Sequence, residues 1–426
     1  MESNQNHVVI PLKEFSYQYD GPSYIRGEGI FLYDESGKKY IDAISGLWNV
    51  SFGYANEQIT SAVKEQAEKL PFINLCSSFT PIIGKYASKL IEVLRGDFNK
   101  LIYTCSGSES IECAIKLARK YQRLKGNKKR TQIAVFDISY HGTTYAAMSA
   151  SGIDKVESKF YGPLVEGFVM LQNPLFLNEK NGLNNIDEVL GDCSMIAAIL
   201  LEPIIGSGGI IPIPNWYITA IKEYAQKYDI LVIFDEVATG FGRTGSLFAY
   251  MDMDITPDIM CVSKAINNGM IPMGAVLLSP AFEEFFKKKR QYVEHFSTQA
   301  GNPIACAAAL EVINILTEQG MLAHIKEIGA YLYKKLIERL LALPNVREIR
   351  GKGLMIGIDL VSEQGISYSL EKLYDIENKV RKRGLLVYPF VAGGVTSGIN
   401  LFPIFVIDER TADRIADILY KTLSAY

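Results

Sequence analysis

The chain has 426 residues, 48% of them hydrophobic and 21% charged, which suits a folded globular protein with a substantial core rather than a disordered one. A formal net charge of −3 gives no global electrostatic case for nucleic acid or an anionic membrane surface, and no apolar run reaches the ~18 residues a spanning helix needs. Six scattered cysteines without a C-x-x-C pair, four histidines without metal-ligand spacing and a polar start at Met1–His7 argue against a disulfide framework, a metal site and a signal peptide, and make the cytoplasm the expected compartment.

Residues 1–57 carry the turn signals Asp20-Gly21-Pro22 and Ser36-Gly37 and read as an extended arm with a small sheet. From about residue 58 to 300, short apolar runs alternate with helical spacing, the pattern of βαβ units and a largely parallel sheet. Candidate buried strands are Ile133–Phe136, Met195–Leu201, Ile230–Phe234, Ile259–Ser263 and Met273–Leu278, with a helix expected over Asn215–Lys227. Ser106 and Glu109 match a capping box at the start of a helix that carries Ile111, Ala114, Ile115 and Ala118 at helical spacing. Past residue 300 the pattern changes. Asn302-Pro303 reads as an N-cap and a first-turn proline, opening a helix to about Glu318, followed by a second over Met321–Leu343. Strands are expected over Val346–Ile349, Gly353–Asp359, Leu385–Tyr388 and Asn400–Val406, with helices near Leu370–Arg383 and from Glu409. The expected division is an N-terminal arm and small sheet (1–57) that joins the small domain, a large α/β domain (58–300) and a smaller α+β C-terminal domain (301–426).

Three stretches carry candidate chemistry. In Leu231–Gly240, "LVIFDEVATG", a buried strand runs straight into Asp235 and Glu236. Strand geometry sends these neighbours to opposite sides, so Asp235 is expected in a crevice and Glu236 in a structural role. Ser106-Gly107-Ser108 sits at a helix start, where free N–H groups and hydroxyls suit a phosphate. Lys264 closes the run Asp258–Lys264 and precedes a turn expected to be flexible, Asn267-Asn268-Gly269. In an open parallel sheet, ligands collect beyond the carboxyl ends of the strands, where both Asp235 and Lys264 fall. A structural salt bridge between them is the plainer alternative. An amine for a Schiff base, a carboxylate for a pyridinium nitrogen and N–H groups for a phosphate are together what pyridoxal phosphate requires.

Longer blocks carry a resemblance. "VIFDEVATGFGRTG", "PDIMCVSKAINNGMIPMGAV", "YTCSGSESIECAIKLARK", "SYHGTTYAAMSASG", "LEPIIGSGG" and "HFSTQAGNPIACAAALEVI" occur in the order found in class III, fold type I pyridoxal-phosphate aminotransferases. "YIDAISGLWNVSFGY" resembles the ω-aminotransferase branch. The resemblance implies an α/β fold with a large, mostly parallel sheet between helices and a smaller α+β domain. It implies pyridoxal 5'-phosphate as cofactor and ping-pong amino transfer between small amine and carbonyl substrates through a Lys264 aldimine. By the same resemblance Lys264 is the Schiff-base lysine and proton shuttle, and Asp235 pairs with the ring nitrogen. Val237 and Tyr140 pack on the two ring faces, with His141 and Glu202 beside the cofactor. Ser106, Gly107 and Ser108 hold the phosphate, and Thr298 reaches the neighbouring subunit's phosphate in a homodimer. Tyr24, Trp48 and Glu202 are expected in the substrate pocket. Two plainer expectations stand beside these: His141 orients its loop, and Arg243 makes a loop-fixing ion pair.

One departure stands out. Many members hold a substrate carboxylate with an arginine in the C-terminal domain, yet Gly384–Glu409 contains no Arg or Lys, and the loop after Tyr140 reads His141-Gly142-Thr143. Either the donor lacks a carboxylate at the usual place, as an ω-amine, an amino sugar or a carrier-bound chain does, or another basic residue such as Arg26 or one from a partner chain serves instead. A mutase, racemase, decarboxylase or phospho-lyase on the same fold, and a non-catalytic cofactor-binding sensor, are the rival readings. A dinucleotide oxidoreductase fits poorly, because Gly206-Ser207-Gly208-Gly209 lacks the required spacing and no helix follows it.

Overall fold

The computed structural model describes residues 7–426 apart from 16, 18, 20, 154, 192 and 319, so the polar start before His7 and Asp20 of the first turn signal lie outside the described residues. Strands β1 (Tyr24–Glu28), β2 (Phe31–Asp34) and β3 (Lys39–Asp42) form an antiparallel meander near the N-terminus. The central sheet takes β4 (Lys100–Thr104), β5 (Gln132–Phe136), β6 (Phe168–Leu171) and β7 (Ile196–Leu201). After a short hairpin of β8 (Ile204–Ile205) and β9 (Ile211–Pro212), it adds β10 (Leu231–Asp235), β11 (Ile259–Val262) and β12 (Gly274–Leu278).

The seven strands lie in the order β4-β12-β11-β10-β7-β5-β6, and only β12 runs against its neighbours. Every residue of β7, β10 and β11 is buried. That is why their sequences are unbroken apolar runs: each face of the sheet carries its own hydrophobic core, and water reaches neither. β4 and β6 are edge strands and only partly buried; β4 mixes Lys100, Tyr103 and Thr104 into its run, and the apolar run of β6 is only four residues long, too short for periodicity to tell a strand from a helix segment.

Strands β13 (Val346–Lys352), β14 (Met355–Leu360), β16 (Tyr388–Ala392) and β17 (Thr396–Leu401) form an antiparallel sheet, while β15 (Leu385–Leu386) leaves them to pair in parallel with β3. The strand expected over Asn400–Val406 ends at Leu401 instead. Pro403 has no N–H for a ladder. The chain turns away, and its next amides bond elsewhere: Phe402 N donates to Ala43 O at 2.7 Å and Phe405 N to Ser51 O at 2.8 Å. The helix Pro303–Thr317 starts as expected, with Asn302 Oδ1 accepting from Ile304 N at 2.9 Å and Ala305 N at 3.2 Å. Among the described residues no single helix is long and apolar enough to cross a membrane.

Candidate active site

The site gathers at the carboxyl ends of five strands. β4 leads into Ser106-Gly107-Ser108, β5 into Tyr140 and His141, β7 into Glu202, β10 into Asp235 and Val237, and β11 into Lys264. All of these line one cavity of about 150 Å³, together with Trp48, Gly142, Ala238 and Ser263. The register explains the neighbours. Phe234 pairs with Leu201 and Asp235 with Cys261, so Glu202, Asp235 and the segment before Lys264 leave adjacent strands side by side.

Asp235 Oδ1 accepts from Val237 N at 3.0 Å, and Oδ2 lies 2.8 Å from His141 Nδ1. Among the described residues His141 Nε2, which is buried, has no hydrogen-bond partner. Glu202 uses both oxygens on backbone amides, Tyr140 N at 3.0 Å and Gly206 N at 3.0 Å. Burial pushes its carboxyl up to about 7; the His141 ring opposes this and Asp235 adds to it. Glu236 points the other way, as expected. It accepts from Thr239 Oγ1 at 2.5 Å, Ala249 N at 3.0 Å and Tyr250 N at 2.8 Å, and so staples the loop after β10.

Lys264, half-buried, adopts a left-handed backbone with φ 46° and brings its amine 4.3 Å from the centre of a Trp48 ring. Among the described residues the amine has no hydrogen-bond or ion-pair partner, so the plain salt bridge to Asp235 is not formed. Burial lowers its pKa to about 8, with Asp235 and Glu202 acting against that shift. At the helix start, Ser106 Oγ accepts from Glu109 N at 3.1 Å, which is half of the expected capping box. The other half reaches one residue further back, where Glu109 Oε2 accepts from Cys105 N at 2.8 Å. A Cβ on Gly107 would sit 2.9 Å from Val237 Cγ1, and one on Gly142, where φ is 125°, would sit 2.1 Å from Ser108 Oγ, so the turn closes tightly on both neighbours.

Several expected residues lie elsewhere. Tyr24 is not in the cavity: its ring packs edge-on against Tyr40 at 5.4 Å, because β1 and the strand carrying Tyr40 belong to the separate N-terminal sheet. Arg26 is exposed, ion-paired with Glu28 and stacked on Tyr33, so it supplies no cation to this cavity. Thr298 is exposed in the irregular segment after the helix Pro280–Lys288 and does not line this chain's own cavity. Arg243 makes no ion pair among the described residues; its partners are carbonyls and hydroxyls. The Asn267-Asn268-Gly269 turn is pinned rather than flexible, since Asn268 Oδ1 accepts from Phe52 N at 2.8 Å and Asn268 Nδ2 donates to Gly53 O at 2.9 Å.

The model of one family, aminotransferase class-III, matches residues 18–423. The chain belongs to the class III aminotransferase family. An acetylornithine aminotransferase of Aquifex aeolicus is 35% identical over 421 residues, covering 98% of this chain and 98% of the relative. An (S)-enantioselective omega-transaminase from Thermomicrobium roseum superposes with a TM-score of 0.91 at 32% identity, over 99% of this chain and 97% of that one. An amine transaminase from an uncultivated Pseudomonas species, solved in its PLP-bound form, gives a TM-score of 0.91 at 27% identity over 98% of each chain. This class III aminotransferase therefore has the fold type I architecture, uses pyridoxal phosphate and moves amino groups between small amine and carbonyl compounds.

The cavity of this aminotransferase fits that cofactor on its own chemistry. The first helical amides, at Gly107 and Ser108, have no intrahelical acceptor, and Ser108 Oγ accepts from Thr143 N at 3.2 Å, which leaves its own hydrogen to donate. Among the described residues the Lys264 amine has no polar partner, and each Asp235 oxygen keeps a lone pair for a further donor.

Proposed function

We propose that this aminotransferase takes its amino group from an ω-amine, a donor with no carboxylate next to the reacting carbon. The observation that carries the proposal is the charge of the cavity. Among its lining residues, only Lys264 and His141 are basic. The turn between β16 and β17 offers glycine: a Cβ on Gly393 would sit 3.4 Å from Ile138, two residues before Tyr140, and the segment Gly384–Glu409 carries no Arg or Lys. A carboxylate in a dry pocket needs a charge-assisted partner, and this pocket has no free one to offer.

Pyridoxal phosphate, when bound, supplies an aldehyde that condenses with amines and a protonated ring that withdraws the electrons left by proton removal. In our reading, with the cofactor held there, Lys264 Nζ would be the group that accepts the proton from the carbon beside the donor nitrogen and gives it up again. Its pKa of about 8 leaves part of the amine neutral, and so basic, near pH 7. Asp235 holds the proton on the ring nitrogen, and His141 holds Asp235. Gly107 N, Ser108 N and the Ser106 and Ser108 hydroxyls take the phosphate. Val237 and Tyr140 confine the two ring faces, and Trp48 closes the donor side.

The same proposal makes the working unit a homodimer. Thr298, exposed and outside its own cavity, is assigned to the partner's phosphate, and the exposed Tyr292 and Phe296 beside it suit a covered surface. Six free cysteines support a reducing compartment, the cytoplasm. The division at 57/58 and 300/301 also belongs to this proposal; the pairing of β3 with β15 supports joining the N-terminal strands to the C-terminal part.

Single-turnover absorbance with a donor panel tests the substrate. Bleaching of the bound cofactor by ω-amines at least ~10-fold faster than by glutamate is expected. Fast bleaching by glutamate and none by simple amines overturns the proposal. Faster bleaching by amino sugars or carrier-bound amines than by free ω-amines moves the donor to that class. Sustained turnover, beyond one equivalent of product per site, without any amino acceptor would instead mark a mutase or lyase.

A further inference from the structure

Trp48 is held over the cavity by a turn with an unusual backbone. Ser45 (φ 50°), Gly46 (φ 70°) and Trp48 (φ 63°) all lie in the left-handed region, and neither a serine nor a tryptophan settles there without outside restraint. Asp42 supplies part of the restraint, accepting from Ile44 N at 2.9 Å and Gly46 N at 2.7 Å, and Arg243 supplies the part that reaches outside the turn. Its Nη2 donates to Ser45 Oγ at 3.1 Å and Ser51 Oγ at 2.9 Å, while Nη1 donates to Leu354 O at 3.1 Å and Pro403 O at 2.7 Å. Ser45 Oγ passes the connection on, donating to Phe402 O at 2.6 Å. One guanidinium thus ties both ends of the Trp48 turn to the chain around β14 and to the segment that follows β17.

The aromatic contacts follow the same route. The Trp48 indole stacks on Phe402 with centroids 4.2 Å apart and planes at 15°, and the Arg243 guanidinium lies 5.5 Å from the Phe402 ring and 4.5 Å from Phe405. The side chain that grips the turn also lies against the ring on which the indole rests. Arg243 is 1% exposed, and burial lowers its pKa to about 9, with the buried Asp42 carboxylate acting against that shift. Neutral acceptors on both Nη atoms suit a planar fork and not a compact ammonium.

We propose that Arg243 is a positioning residue that holds the Ser45–Ser51 turn in its left-handed form and thereby keeps Trp48 against Phe402 and over Lys264, setting how large a donor the cavity accepts. The proposal rests on the reading above that this cavity takes the donor amine.

The test uses the two tryptophans of the chain, Trp48 and Trp216. Trp216 packs against Gly182 on the helix Asn215–Tyr228, so Trp216→Phe leaves Trp48 as the single emitter. In that background, without cofactor, Arg243→Met is expected to raise the acrylamide quenching constant of Trp48 about 3-fold or more, as an unpinned side chain opens to solvent. Arg243→Lys is expected to rescue less than half of the change. In the loaded enzyme, donor KM rises about 10-fold while kcat stays within about 3-fold, and bulky amines gain on small ones. Unchanged quenching in a folded Arg243→Met variant overturns the proposal. If that variant does not fold by circular dichroism, Ser45→Ala and Ser51→Ala decide: higher quenching in either supports the clamp, and none in both overturns it. Should the wild type fail on ω-amines while quenching shifts as expected, the substrate reading falls and the clamp stands. The reverse pattern removes the clamp alone.

Discussion

His141 Nδ1 lies 2.8 Å from Asp235 Oδ2, and both side chains are buried. The bond joins loops that leave two different strands, and it spends one lone pair of the carboxylate while leaving its charge intact. Replacing Asp235 with Asn keeps an acceptor for His141 and removes the charge. Steady-state kinetics of Asp235→Asn are therefore expected to show kcat lowered ~10²–10³-fold with the cofactor still bound, as when a preorganised electrostatic group is deleted. A loss under 5-fold would contradict the assigned role.

Lys264→Ala removes the amine on which the proposed chemistry depends. Turnover is expected to fall by roughly 10³-fold or more, and the absorbance of the cofactor linked to the protein should vanish. The fold should not suffer. The amine lies beside Trp48 and has no polar partner among the described residues, so the melting temperature of the cofactor-free variant is expected to match or exceed that of the wild type. A clear drop in melting temperature would mean the amine is structural.

The pH dependence of Lys264 has a defined sign. Burial lowers its pKa from 10.5 to about 8, so the folded chain binds fewer protons than the unfolded one between those values. The cost of burying the charged amine is present below about 8 and is relieved as pH rises toward 10.5, so this residue adds stability with rising pH across that window. The rate at which the cofactor-free protein takes up pyridoxal phosphate should rise with pH around a midpoint near 8. A midpoint above 10, where surface lysines titrate, would refute the burial argument.

Glu236 behaves oppositely. Burial raises its carboxyl from 4.5 to about 7, so the folded state binds the extra proton between those values. Its favourable contribution is complete below about 4.5 and is lost as pH rises through 7. Urea unfolding of the cofactor-free chain at pH 5 and pH 8 should show a smaller difference for Glu236→Gln than for the wild type. Glu236→Ala leaves the donors of Thr239, Ala249 and Tyr250 unpaired, and is expected to cost about 2–4 kcal/mol at pH 5.

The residues that could be read in advance were those whose chemistry and local pattern agree. Asp235 and Lys264 follow unbroken apolar runs, so their place at strand ends was legible, and so was the divergence of Glu236 from its neighbour. Contacts between distant segments were not. His141 and Asp235 are 94 residues apart, and nothing in either segment announces their bond. Arg243 between two glycines suggested a carboxylate partner, yet its acceptors come from Ser45, Ser51, Leu354 and Pro403, which only the folded chain assembles. Tyr24 rests in the pocket expectation on resemblance alone; in the fold its ring packs on Tyr40 within the N-terminal sheet. The apolar run from Phe402 to Phe405 looked like a strand because it is buried; its amides serve Ala43 and Ser51 instead of a ladder.

The pairing of β3 with β15 sets an order of events during synthesis. Ile41 lies beside Leu385, so the meander has no fourth strand until the segment around Leu385 has left the ribosome. Until then β3 offers an open edge to any passing strand. Leu385 closes what Ile41 begins, and a chain interrupted before Leu385 would carry an unfinished meander however well its central sheet had formed.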